Sequence, residues 1–199
     1  MLRTSRTIRS SLLATVAVAA ALTLSACGGA TTATGPGAGS TPAASSAAFN
    51  PADVAFARMM IPHHEQAVTM SDDLLAKHGA DPRVVDLATQ IKAAQEPEID
   101  QLTAWLTAWG ADAGGMSDMD HGTDGMMSDA DMMTLGNASG ADADRVFLEL
   151  MIGHHEGAIA MAQTEVDDGE NADAQALAKA IVASQTDEVA AMTDLLAAL

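Results

Sequence analysis

A chain that states an uncommon block of residues twice is constrained to fold as two like halves. Met60-Ile61-Pro62-His63-His64-Glu65-Gln66-Ala67 returns as Met151-Ile152-Gly153-His154-His155-Glu156-Gly157-Ala158. The match runs outward through Asp53/Asp144, Phe56/Phe147, Val68/Ile159 and Met70/Met161. A second block then follows in each copy. Ala88, Ile91, Gln95, Glu98, Ile99 and Leu102 correspond to Ala178, Ile181, Gln185, Glu188, Val189 and Met192. This duplication predicts a tandem, pseudo-symmetric helical bundle with its chemistry on facing helices.

The local signals are helical throughout, and no alternating strand pattern competes with them. Asn50-Pro51 offers an N-cap with proline at the first helical position, and Lys77-His78-Gly79 offers a stop, so a first helix is expected from about Pro51 to His78. Asp81-Pro82 restarts the chain into a second helix that reaches about Trp109, before Gly110. Ser139 or Gly140 opens a third that ends near Gly169, and Asn171 caps a fourth that runs to the C-terminus. Short loops within each half make antiparallel hairpins, so the expected fold is all-α, an antiparallel four-helix bundle built from two tandem hairpins. The expected divisions are repeat one over 51–109, a Met-rich linker over 110–139 and repeat two over 140–199.

Periodicity selects the inward residues. In the first helix Phe56, Met60, His63, Ala67, Met70 and Leu74 step by four and three, and Phe147, Met151, His154, Ala158 and Met161 do the same in the third. Ile91, Gln95, Glu98, Leu102 and Trp105 form the second helix's stripe, and Ile181, Gln185, Glu188, Met192 and Leu195 the fourth's. These stripes place His, Gln and Glu where apolar side chains belong. Unpaired, each such group costs roughly 1–3 kcal/mol in a core, so they must find one another or an ion. His64 and His155 lie about 100° round from their neighbours and should flank the stripe. Met60 and His64, like Met151 and His155, are four apart and share a face, so a thioether and an imidazole can reach one ion. Pro62 and Gly153 should loosen the backbone beside the histidines, and Pro97 could do so in the second helix. Candidate metal ligands are therefore Met60, His63, His64, Glu65, Met151, His154, His155 and Glu156. Gln95, Glu98, Gln185 and Glu188 form a candidate buried polar network, and such a network would also explain the layer with no metal.

Between the halves lies a second candidate ligand set, Met116, Met119, His121, Met126 and Met127, interleaved with Asp and Gly. Thioethers beside imidazole suit copper(I) or silver and need no deprotonation. Asp118, Asp120 and Asp124 are harder donors suited to copper(II) or other divalent ions. Ser128-Asp129-Ala130-Asp131 reads as the start of a short capped helix, from which Met132 and Met133 are expected to enter the core.

The first residues carry an address. Arg3, Arg6 and Arg9 precede an apolar run from Leu12 to Leu24, too short for a comfortable membrane span, and Leu24-Ser25-Ala26-Cys27 resembles a lipobox. That resemblance implies a lipoprotein signal peptide over 1–26, lipid on Cys27, and an exported protein anchored on the extracytoplasmic face of an envelope membrane. Residues 27–48 are almost wholly Gly, Ala, Ser, Thr and Pro and read as a flexible tether before a bundle domain over 49–199. Cys27 is the single cysteine, so the bundle has no disulfide. With the three leader arginines gone, 6 basic residues face 27 acidic ones, a net charge of −21. Such a surface argues against nucleic acid as a partner and favours cations.

The paired Met-Ile-x-His-His-Glu-x-Ala blocks, each followed by a Gln-x-x-Glu helix and joined by a Met-rich segment, resemble the bacterial domain-of-unknown-function family three-oh-five. The resemblance covers Pro51 to Leu199 and implies a ferritin-like bundle, usually exported. Some members are periplasmic copper-binding proteins linked to metal resistance. Carried over, the family's His-His-Glu residues are His63, His64, Glu65, His154, His155 and Glu156. The function expected is thus copper binding, for buffering or resistance. One alternative is a ferritin-like di-metal oxidase, although the Glu-x-x-His pair of that class is missing. Another is a metal-free anchored module that binds a protein partner. No nucleophile and base are arranged as other catalysis would need.

Overall fold

The computed structural model describes residues 48–111 and 125–199. Five helices follow one another: α1 (Pro51–Leu75), α2 (Pro82–Ala108), α3 (Asp129–Asn137), α4 (Ala141–Asp168) and α5 (Ala172–Ala197). The fold is all-α, and its four long helices form two antiparallel hairpins, α1 with α2 and α4 with α5, that meet through α1 and α4. Among the described residues no helix is long and apolar enough to cross a membrane.

The caps explain where the helices start. The Asn50 side chain accepts from the amides of Ala52 and Asp53, and Asp53 completes a capping box behind Pro51. The Asp81 side chain caps α2 by accepting from the Arg83 amide, and that of Asn171 caps α5 by accepting from the Asp173 and Ala174 amides, whereas Gly140 begins α4 at φ +54° with no side-chain cap. Ser128 and Asp131 form the expected capping box of α3. The first helix stops at Leu75, a turn earlier than the Lys77-His78-Gly79 signal suggested.

Burial follows the expected stripes of α1 and α4 and then exceeds them, whereas on α2 and α5 Glu98, Trp105, Glu188 and Leu195, expected inside, stay half-buried. Phe56, Met60, His63, Ala67, Met70 and Leu74 are all buried, as are Phe147, Met151, His154 and Ala158; Met161 is half-exposed. The inner helices also bury a second stripe, Asp53, Ala57, Ile61, His64 and Ser71 on α1, and Asp144, Leu148, His155 and Ala162 on α4. They do so because each touches its hairpin partner and the other inner helix, while α2 and α5 bury one narrow stripe apiece. His64 and His155 therefore do not flank the core but lie inside it, each with no exposed surface.

Two apolar clusters enclose the histidine level. One includes Met70, Leu74, Val84, Ile91, Phe147, Leu148 and Met192; the other includes Phe56, Met60, Leu102, Leu106, Ala162 and Ile181. Burying each large side chain of this kind contributes about 1.5–3 kcal/mol. At the open end of the second cluster Phe49 stacks on Trp109, with ring centroids 5.1 Å apart. On α3, Leu135 enters the core and Met132 packs against its edge, but Met133 is 67% exposed, contrary to the expectation that both methionines are core. A nine-residue helix that touches α1 and α4 along one side has only one inward face.

Candidate metal centre

The duplicated motif brings four imidazoles together in the interior. His63 and His154, one from each inner helix, meet with ring centroids 3.7 Å apart and planes tilted by 38°. His64 and His155 sit beside them, and Nε2 of each is hydrogen-bonded to a glutamate on its own hairpin partner: Glu98 Oε2 at 2.7 Å and Glu188 Oε2 at 2.7 Å. Both glutamate side chains keep 21% exposure while both imidazoles have none. Each hydrogen bond thus runs from the core to the rim of the bundle. Burial pushes the His154 imidazole down to about 2, and the neighbouring imidazoles of His63, His155 and His64 add to the effect.

The layer holds more lone pairs than the described residues satisfy. Nδ1 of His64 and of His155 and the side-chain oxygens of Gln95 and Gln185 are buried without a hydrogen-bond partner among the described residues. One such group costs about 1–3 kcal/mol, and native interiors contain few, so a cluster of them at one level calls for a further partner. Neutral imidazole nitrogens are donors suited to copper and zinc, and Met60 and Met151, fully buried beside them in sequence, are thioether donors suited to copper(I) and silver. The residues present therefore fit a soft ion. Among the described residues no three His, Cys, Asp or Glu side chains already converge on one point.

Other predicted ligands lie elsewhere. Glu65 and Glu156 are exposed, and Glu98 and Glu188 supply the carboxylates at the histidines instead. With His63 and His64 already turned toward the two packing partners of α1, Glu65 lies about 100° further round and falls on the open face, as Glu156 does on α4. Met116, Met119, His121, Asp118, Asp120, Asp124 and Cys27 lie outside the described residues. Met126 and Met127 are half-buried.

Their position exposes a feature that sequence reading missed. Gln66, one turn beyond His63, grips the backbone of Met127 from both sides: its Nε2 donates to the Met127 carbonyl at 2.9 Å and its Oε1 accepts from the Met127 amide at 2.7 Å. Gly125, at φ +82°, lies so close to α4 that a Cβ there would stand 2.7 Å from Gly157 Cα and 3.0 Å from the His154 carbonyl oxygen. The end of the Met-rich linker is thereby seated on the inner helices at the level of the histidines. The signal was available: Gly157 stands opposite Gln66, and Gly153 opposite Pro62, in the two copies of the motif. Neither Pro62 nor Gly153 breaks its helix, nor does Pro97, since α1, α2 and α4 run on through them. A Cβ at Gly153 would meet nothing within 4 Å, so the close approach there depends on Gly125, whose Cβ would stand 3.1 Å from the Gly153 carbonyl oxygen.

A second buried polar cluster ties the ends of α1 and α4. Asp53 accepts from the amides of Asn50, Glu170 and Asn171, and Glu165, also buried, lies against it. Burial pushes the Glu165 carboxyl up to about 8, and the Asp53 carboxylate beside it acts in the same direction. Burial works against ionisation of Asp53 as well, but the Asn50 amide, the neighbouring Glu165 side chain and the Asn171 and Glu170 amides together hold it below the usual range. The pair is thus a neutral carboxylic acid beside a carboxylate.

Known proteins share this fold. A Deinococcus radiodurans DUF305 fragment is 32% identical, with TM-score 0.68 over 75% of this chain and 98% of its own. A candidate secreted DUF305 protein from Streptomyces coelicolor is 35% identical, with TM-score 0.68 over 73% of this chain and 91% of its own. CopM in its Cu(I)-bound form is 29% identical, with TM-score 0.62 over 72% of this chain and 94% of its own, and CopM has also been solved with Cu(II) and with silver. No curated protein matches the chain. The sequence profile of DUF305, a domain of unknown function, matches residues 53–196. With a profile match over most of its length, and a helical bundle shared with the family's solved structures, this chain belongs to the DUF305 family.

Proposed function

We propose that the protein is an exported copper-binding protein, held to the envelope membrane by lipid on Cys27, that buffers or detoxifies copper outside the cytoplasm. The observation that carries this reading is the buried layer of four imidazoles, in which Nδ1 of His64 and of His155 has no partner among the described residues, in a fold shared with a protein solved with Cu(I), Cu(II) and silver bound. His63, His64, His154 and His155 form the inner site, with Met60 and Met151 as the nearby thioethers. Met116, Met119, His121, Met126 and Met127 form a capturing segment, whose end is held at the level of that site by Gln66. The acidic surface, −21 without the leader, attracts cations to both. Export rests on the leader sequence and on the description of the Streptomyces relative.

The test is a copper(I) titration against a competing chelator, run on the protein, on H63A/H154A and on a variant lacking 116–127. The expected result is tight binding that falls in both variants, with a preference for copper over zinc and magnesium. Equal affinity for all three metals, or no binding by the unaltered protein, would overturn the proposal and leave the layer as a structural network.

A further inference from the structure

The two histidines that are bonded to glutamate differ from the two that face each other, and that difference assigns atoms. His64 and His155 each use Nε2 on a carboxylate that is 21% exposed at the bundle's rim, and each leaves Nδ1 fully buried with no partner among the described residues. A carboxylate accepts and cannot donate, so the bonded nitrogen carries the hydrogen and Nδ1 holds the lone pair. The opposite tautomer would leave a carboxylate facing a bare nitrogen and a buried N–H without an acceptor, two penalties at once. Gln95 and Gln185, one turn before each glutamate on the same stripe, add further unpartnered oxygens, and among the described residues no donor claims the Nδ1 lone pairs.

We propose that Glu98 and Glu188 are positioning residues of the metal site: each fixes its histidine with Nε2–H directed to the rim, so that His64 and His155 give the ion their Nδ1 atoms. The inference rests on the copper-binding reading above and specifies its site. It also explains why the chain places a carboxylate in each outer stripe, where an apolar side chain would pack better. Each glutamate raises the electron density of its imidazole, and neither need touch the ion. Such a carboxylate–imidazole pair both orients a ligand and strengthens it, and loss of the outer partner typically weakens metal binding about 10- to 100-fold. The pairing is built twice with the same length, 2.7 Å, and the same burial, so the two halves contribute alike.

The experiment is side-chain nitrogen NMR of the 15N-histidine-labelled protein with silver(I) as a redox-inert probe, together with silver(I) competition titrations. The variants are E98L/E188L, which removes the acceptors, and E98Q/E188Q, which keeps an oxygen to accept from Nε2–H. In the unaltered protein His64 and His155 should show the Nε2–H tautomer before silver, and their Nδ1 signals should move when it binds. E98L/E188L should lose that tautomer and bind silver about 10- to 100-fold more weakly with helicity kept. E98Q/E188Q should recover the tautomer and most of the affinity, which guards against a leucine variant that misfolds. Movement of Nε2 in place of Nδ1, or unchanged affinity in E98L/E188L, would overturn the inference while leaving copper binding standing. Failure of the unaltered protein to bind either silver or copper would overturn both.

Discussion

The middle of the molecule and its ends treat the duplication in opposite ways. At the middle, residues 91–100 and 181–190 have the same burial at every position, and the two His–Glu bonds are the same length. At the ends the halves part. Asp53 accepts from three backbone amides and meets Glu165, whereas its counterpart Asp144 accepts from the Asp81 amide at 2.9 Å and keeps Oδ1 without a partner. The residue that corresponds to Glu165 in repeat one is Leu74, fully buried. Gln66 and Gly157 differ for a similar reason, one gripping the linker and the other making room for it. A chain enters beside each repeat only once, so linker and terminus impose different tasks on equivalent positions. The histidine layer faces both halves at once, and there the repeats stay alike.

The largest expected effect comes from deleting the two counterpart aspartates. D53A leaves the buried Asn171 amide and the Glu170 amide without their acceptor and should cost roughly 3 kcal/mol or more, while D144A should cost about 1–2 kcal/mol. Urea denaturation of both variants measures the difference; equal losses would mean that the two ends are not energetically distinct.

Next comes the titration of Glu165. Its carboxyl is raised from 4.5 to about 8 in the fold, so the folded state holds a proton that the unfolded chain has released. The stabilisation from the protonated pair is then fully present below about pH 4.5 and is lost progressively as pH rises through about 8. E165L, which copies the Leu74 solution, should flatten that slope and raise the urea midpoint at about pH 8.5 relative to the unaltered protein. A slope that survives in E165L would assign it to other groups.

The smallest effect sharpens the linker comparison. G125A forces a Cβ against Gly157 at positive φ and should cost about 1–3 kcal/mol or unseat the linker, whereas G136A, with open space at its Cβ, should be neutral to slightly stabilising. Thermal unfolding of the two variants decides the matter, and equal melting temperatures would show that the seat carries no stability.

Much of this architecture was legible before any coordinates. The caps Asn50, Asp81, Ser128 and Asn171 stand where the sequence signals put them, and the stripes of α1 and α4 are buried almost throughout. Periodicity reads one helix at a time, so it found His63 and His154 on the main stripe but could not know that α1 and α4 each have two partners and bury His64 and His155 as well. It also could not choose among nearby carboxylates: Glu65 and Glu156 adjoin the histidines in sequence, yet Glu98 and Glu188 reach them in space. The Asp53–Glu165 pair joins residues far apart in the chain, and no local pattern marks it.

The most direct measurement is a crystal structure of the protein with silver(I), the ion located by its anomalous scattering. The account predicts silver inside the bundle at the level of His63 and His154, with Nδ1 of His64 and His155 as ligands and Glu98 and Glu188 still bonded to Nε2. Silver confined to the Met-rich segment or to surface carboxylates, with the four imidazoles untouched, would contradict it.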